Sequence, residues 1–215
     1  MLADLTDKNA DINGIALRAT EDHSLLSELI DGLKLKVATK SADETVRYNC
    51  YKVLLLLAET RGELLYPAWE RVVVPLKSDN SYHKMAAVQL VARLASADVG
   101  EKFENVFETY FGLLDGKSVI VAIYVAQNAG RIVKAKPGLE PRITGKLLTL
   151  EKTHHPSSRK GLVIAGAIES FGQYLDMASD RGRIVDFVKR QQQSESPKTK
   201  KLAKDFLKKW ASLAA

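Results

Sequence analysis

The chain has 215 residues, 46% of them hydrophobic and 27% charged, with a formal net charge of +6. Those values describe a globular chain with length for one or two domains and a sizeable core. The single cysteine, Cys50, excludes an internal disulfide framework, and the longest apolar runs, such as Val119–Ala126, fall far short of the roughly 18 to 20 residues that span a bilayer.

The acidic start "MLADLTDKNADING" has no basic segment followed by an apolar run. No secretory signal or transmembrane segment is therefore expected, and the expected location is cytoplasmic. The charge is unevenly placed. Residues 181–215 carry ten Lys or Arg against three Asp or Glu, which leaves residues 1–180 at −1. The basic character belongs to the C-terminal end, and this weakens the case that the whole molecule binds nucleic acid.

Read in chain order, a weak helix is expected near 11–20. Ten more follow at 23–36, 43–60, 63–77, 82–96, 100–114, 118–134, 140–153, 157–176, 181–192 and 197–213. Leu65, Trp69, Val72, Val73 and Leu76 form one core-facing stripe; Phe103, Val106, Phe107, Tyr110, Phe111 and Leu114 form another. Ser41 with Glu44, and Asp98 with Glu101, read as capping boxes. Pro141, Pro156 and Pro197 stand where a first helical turn tolerates them. The β-branched runs Val72–Val74 and Val119–Val121 invite a strand reading, but their flanking stripes continue at helical spacing. The expected fold class is all-α.

The ten helices pair. Every second one opens on a polar or basic cluster and then turns apolar: "VRYNCYKVLLLLAE", "HKMAAVQLVARLAS", "SVIVAIYVAQNAGR", "RKGLVIAGAIESFG" and "TKKLAKDFLKKWAS". Aligning Ala58, Ala95, Gly130, Gly172 and Trp210 gives offsets of 37, 35, 42 and 38. One helix pair per period in that range marks an α-solenoid, because a lone pair cannot bury both apolar faces whereas stacked pairs share one core.

On these residues the chain resembles the HEAT and armadillo-like repeat family. The best match is "SADETVRYNCYKVLLLLAE", through Asp43, Val46 and Arg47; Asp79 and Lys84 keep the spacing loosely in the next repeat. No later repeat has Val-Arg. The resemblance implies a right-handed superhelix of about five antiparallel helix pairs in a single domain, 1–215. Residues 1–21 would be an N-terminal extension or cap, 22–193 the stacked pairs, and 194–215 a basic capping helix. It says little about function, since repeat scaffolds host many roles.

No constellation carries recognisable chemistry, so no catalytic residue, metal set or cofactor is expected. His23, His83, His154 and His155 lack partners at ligand spacing, and His154-His155-Pro156 reads as a solvated turn. Cys50 falls on a small-residue position and reads as packing. "GAIESFG" at 166–172 places glycines within an apolar stripe, which points to close helix packing rather than a phosphate loop. Some HEAT-like proteins are alkylpurine DNA glycosylases. That resemblance would ask for an aromatic residue against the damaged base, but Trp69 sits on a core stripe and Trp210 on the terminal helix.

Two surfaces remain as candidates. Second helices usually line the concave side of such stacks, which makes Tyr48, Tyr51, Lys52, Gln89, Arg93, Gln127, Arg131 and Gln173 the expected partner face. A basic ladder, Arg47, Lys84, Lys117, Arg159, Lys160, Lys200 and Lys201, recurs near the second-helix starts. Its rungs either pair with Asp43, Asp79, Asp115 and Glu151 or hold phosphates or an acidic partner. The sequence thus describes a non-enzymatic protein-binding or scaffold module. The alternative is a nucleic-acid-binding solenoid acting through the lysine-rich C-terminal helix. The oligomeric state is left open.

Overall fold

The structure, a computed structural model, describes residues 2–35 and 42–211. Only helices and turns occur among them, and neither Val72–Val74 nor Val119–Val121 forms a strand. Ser41, half of one expected capping box, lies outside the described residues, as does Leu213. Contacts divide the chain into two compact units, Met1–Phe103 and Glu104–Ala215.

The first unit begins with a 3₁₀ turn, Leu2–Leu5, followed by α1 (Ile12–Glu21), α2 (His23–Gly32), α3 (Ala42–Thr60), α4 (Gly62–Leu65), α5 (Trp69–Val73) and α6 (Ser81–Leu94). Asp11, Asp22 and Asn80 cap α1, α2 and α6 by accepting main-chain N–H bonds from Gly14, Leu25 and Tyr82. The segment expected as one helix over 63–77 is broken into α4 and α5 with 3₁₀ turns at Tyr66–Ala68 and Val74–Lys77. Pro67 and Pro75 cause the breaks, since neither can donate to the helical ladder. The apolar stripe survives: Leu65, Trp69, Val72 and Leu76 are buried.

At the close of this unit the Asp98 carboxylate accepts the N–H groups of Lys102 (2.8 Å) and Phe103 (2.9 Å), and the Tyr66 hydroxyl donates to it at 2.6 Å. The expected reciprocal partner, Glu101, takes no part as a helical residue. It has a φ of 52° and precedes α7 (Lys102–Gly112), so the chain turns there instead of entering the helix. Asp98 caps the helix without a capping box.

The second unit holds most of α7 and then α8 (Val119–Ala135), α9 (Glu140–Leu148), α10 (Ser157–Tyr174), α11 (Arg181–Arg190) and α12 (Pro197–Lys209). α8, α10 and α12 lie side by side in parallel, the order of contact running Gln127 to Gly166, Gly130 to Ser170, Gly161 to Ser196 and Gly172 to Phe206. Glycine permits the approach. A Cβ on Gly130 would lie 2.9 Å from the Ser170 carbonyl oxygen, and one on Gly166 would lie 2.9 Å from Gln127 Cγ. The buried Ser170 hydroxyl uses that closeness. It donates to the Ala126 carbonyl at 2.6 Å and accepts the Gly130 N–H at 3.0 Å, so it straddles one step of the α8 ladder. Thr199 of α12 hooks α10 in the same manner, donating to the Gly161 carbonyl at 2.7 Å.

A buried carboxylate ties α9 to the end of α10 and to the turn that precedes α11. Glu140 accepts from the Thr144 hydroxyl at 2.7 Å and from both the N–H and the hydroxyl of Ser179, while the Tyr174 hydroxyl donates to Thr144 at 2.8 Å. All the donors are met inside the protein, as a buried charge requires.

Candidate functional site

In the first unit α3 and α6 run in the same direction, with Arg47 against Tyr82 near their starts and Arg93 against Glu59 near their ends. Both helices turn their apolar sides inward; Val53, Leu54 and Leu57 of α3 and Val88, Leu90 and Val91 of α6 are buried. Their outer sides leave a cleft of about 800 Å³. α3 contributes Glu44, Arg47, Tyr48, Tyr51 and Lys52 at helical spacing; α6 contributes Tyr82 and Met85. The volume is that of an ordinary ligand site.

The cleft is aromatic and cationic. The Arg47 guanidinium lies over the Tyr82 ring at 4.6 Å, and Lys52 Nζ lies 5.0 Å from the centre of the Tyr48 ring. Tyr48 and Tyr51 are 6.2 Å apart, and Tyr48 is 55% exposed. Arg47 is 9% exposed and its Nε has no hydrogen-bond partner. The carboxylate nearest to it among the described ion pairs, that of Glu44, is 3.9 Å away, too far for a hydrogen bond. Lys8 stands at the rim because Asn49 of α3 donates to the carbonyls of Leu5 (2.9 Å) and Asp7 (2.8 Å) and so fixes the N-terminal segment against the helix.

Of the expected partner face, the structure brings Tyr48, Tyr51 and Lys52 together in this cleft, along with Arg47 from the expected ladder. Gln89 leaves that face. It is 7% exposed, because α6 is enclosed on nearly every side. Arg93 is half-buried and engaged, 3.0 Å from Glu59 and donating to the Gln89 carbonyl. In the second unit Gln127 donates to Glu169 at 2.9 Å, and Lys198 pairs with the same carboxylate at 2.9 Å, so Gln127 belongs to a strut across α8, α10 and α12. Gln173 is exposed on α10, and Arg131 is half-buried on α8.

Of the acidic residues available to the ladder, Asp115 and Glu151 pair elsewhere. Asp115 accepts the His154 main-chain N–H at 2.8 Å and lies 2.6 Å from its Nδ1, and Glu151 holds Arg190 and Gln191. Lys160 reaches only the Glu151 main-chain carbonyl, at 3.2 Å. Lys117, Arg159, Lys200 and Lys201 are exposed and Lys84 is half-buried, all without a carboxylate partner among the described residues. The main-chain N–H of His154 holds the Asp115 carboxyl below the usual carboxylate range.

The histidines divide. His154 is exposed, but His155, expected in a solvated turn, is buried and bonds the Leu114 carbonyl at 2.9 Å. His83 is buried as well, between Ser78 and the Leu35 carbonyl. Among the described residues no three His, Cys, Asp or Glu side chains come together in a way that would hold a metal ion. Cys50 is fully buried against Gly32, and burial pushes its thiol up to about 12. Trp69 is 1% exposed and cannot stack on a base.

Sequence reasoning missed Tyr82, Met85, Glu44 and Lys8. Tyr82 carried a signal, an aromatic residue in the polar opening of a second helix; Lys8 carried none, since only the Asn49 clamp brings it there.

No protein-family profile matches the sequence, and no curated protein does. Solved structures do. An engineered protein solved by crystallography is 19% identical, with a TM-score of 0.55 over 98% of this chain and 95% of that one. A designed armadillo repeat protein is 17% identical, with a TM-score of 0.51 over 96% and 97%. The chain therefore has an armadillo/HEAT-like helical repeat fold, an all-α solenoid. No helix among the described residues is long and apolar enough to cross a membrane.

Proposed function

We propose that this chain is a non-enzymatic scaffold module that binds another protein through the α3–α6 cleft of its first unit. One observation carries the reading: Tyr48, Tyr51 and Tyr82 line an open cleft together with Arg47. Tyrosine and arginine are the residues on which interfaces concentrate binding energy, because they offer large rigid faces and several donors at modest entropic cost. Among the described residues the cleft gathers no nucleophile with a base and no pair of carboxylates, so shape and polarity are what it has to offer a partner.

The test replaces Tyr48 with a photo-cross-linking phenylalanine analogue and exposes the protein to native extract. A protein adduct formed from position 48 and absent from an equivalent probe at Gln173 supports the reading. Equal labelling at both positions, or none at 48, overturns it.

The competing reading, nucleic acid held by α12, draws on the exposed Lys200, Lys201, Lys204 and Lys208. It requires salt-dependent affinity for DNA or RNA that disappears when those lysines are made glutamine.

A further inference from the structure

Resting on the protein-binding reading, we infer that the cleft takes an acidic peptide segment, with a carboxylate of the partner seated on Arg47. Arg47, Lys52 and Lys8 bring three cations to the lining, against the single carboxylate of Glu44. Neither Lys52 nor Lys8 has a carboxylate partner among the described residues. Arg47 is the sharper case. Its side chain is nearly out of water, its Nε is unpartnered, and Glu44 is 3.9 Å away. A guanidinium so withdrawn from solvent needs acceptors, and a partner carboxylate supplies two oxygens in the geometry the fork prefers.

The Tyr82 ring lies 4.6 Å from the guanidinium carbon, a cation–π contact that favours one placement of Arg47 before any partner arrives. Lys52 and Lys8 extend the positive potential along the cleft, which suits a run of acidic residues better than a lone anion. Leu33, Met85 and Ala86 complete an apolar floor for the side chains between the acidic ones.

Selection from a library of short random peptides against the intact protein tests this without presuming a sequence. Synthetic copies of the selected peptides are then measured by fluorescence anisotropy, with an oligothymidylate of the same length as a further probe. The expected peptides are rich in Asp and Glu, and their affinity falls about ten- to a hundredfold in Arg47→Gln. It falls as well in Lys52→Gln, whose half-exposed position spares the fold, and in rising salt, while Lys200→Gln leaves it unchanged.

Neutral or basic peptides that still lose binding in Tyr48→Ala would overturn the inference and leave the protein-binding reading standing. Peptides indifferent to Tyr48→Ala and Tyr82→Ala, or none selected at all, would overturn both. Tight oligothymidylate binding abolished by Arg47→Gln would assign the cleft to nucleic acid and overturn both as well.

Discussion

Replacing Gly130 by alanine should weaken the second unit even though alanine is the better helix former. The new Cβ would lie 2.9 Å from the Ser170 carbonyl oxygen and 3.0 Å from the Gln173 side chain, where ordinary contact begins at 3.4 Å. Gln173 can swing aside, but a main-chain oxygen cannot, so α8 and α10 must part by about half an ångström. That retreat takes the Gly130 N–H to Ser170 bond from 3.0 Å to the edge of a hydrogen bond and strains its 2.6 Å partner at Ala126. Overpacking costs about 1–3 kcal/mol, and the damaged buried bonds cost about 1 kcal/mol more. The gain in helix propensity returns about 1 kcal/mol. The net loss is about 2 kcal/mol, a fall in melting temperature of roughly 4–8 °C for a chain of this size. Gly145→Ala is the matched control, since a Cβ there meets nothing within 4 Å; it should gain about 0.5–1 kcal/mol. Circular dichroism melts of both variants decide the matter. If Gly130→Ala melts at or above the wild-type temperature, the close approach of α8 and α10 is wrong.

Asp98→Ala should cost about 1–2 kcal/mol in urea titrations, because three donors lose their acceptor at the start of α7. Cys50 should react with a chromogenic disulfide reagent only after denaturant is added; a buried thiol pushed up to about 12 stays protonated and shielded near neutral pH, so prompt reaction of the native protein would contradict its burial. Asp115 has a folded pKa below its ordinary value of 3.8, so its contribution is full above that value and is lost as pH falls through the folded one. The stability gap between wild type and Asp115→Asn, under about 1 kcal/mol for so exposed a pair, should therefore close in acid; a gap that widens below about pH 3.8 would refute the pairing.

Helix positions were readable because the longer helices keep one wide apolar stripe and α1, α2, α6, α7, α11 and α12 have a side-chain cap. Cap and stripe are local, so sequence spacing records them. The failures share a cause in tertiary context. Pro67 and Pro75 broke a helix whose stripe reads as continuous, since apolar spacing is blind to a missing N–H. Gln89 has the spacing of an outer-face residue, yet α6 is walled in by its neighbours. Two of the acidic residues available to the ladder, Asp115 and Glu151, were drawn instead to His154, Arg190 and Gln191, some forty residues away, and no local pattern encodes such a choice. The cleft was half legible. Tyr48, Tyr51 and Lys52 follow from helical spacing on α3, whereas its far wall and rim depend on how α6 and the N-terminal segment dock.

The hydroxyl hooks have a bearing on how such a chain can evolve. Stacked helix pairs invite duplication, deletion and shuffling, because each pair needs only an apolar neighbour. Ser170 and Thr199 add a second condition. Ser170 reaches the main chain at Gly130, late in α8, while Thr199 reaches it at Gly161, in the first turns of α10. Exchange the order of these helices and each hydroxyl would face a site without its glycine, burying a donor with nothing to receive it. The repeats of the second unit are thus addressed to particular neighbours, and an inserted copy would have to bring its own glycine and hydroxyl to be accepted.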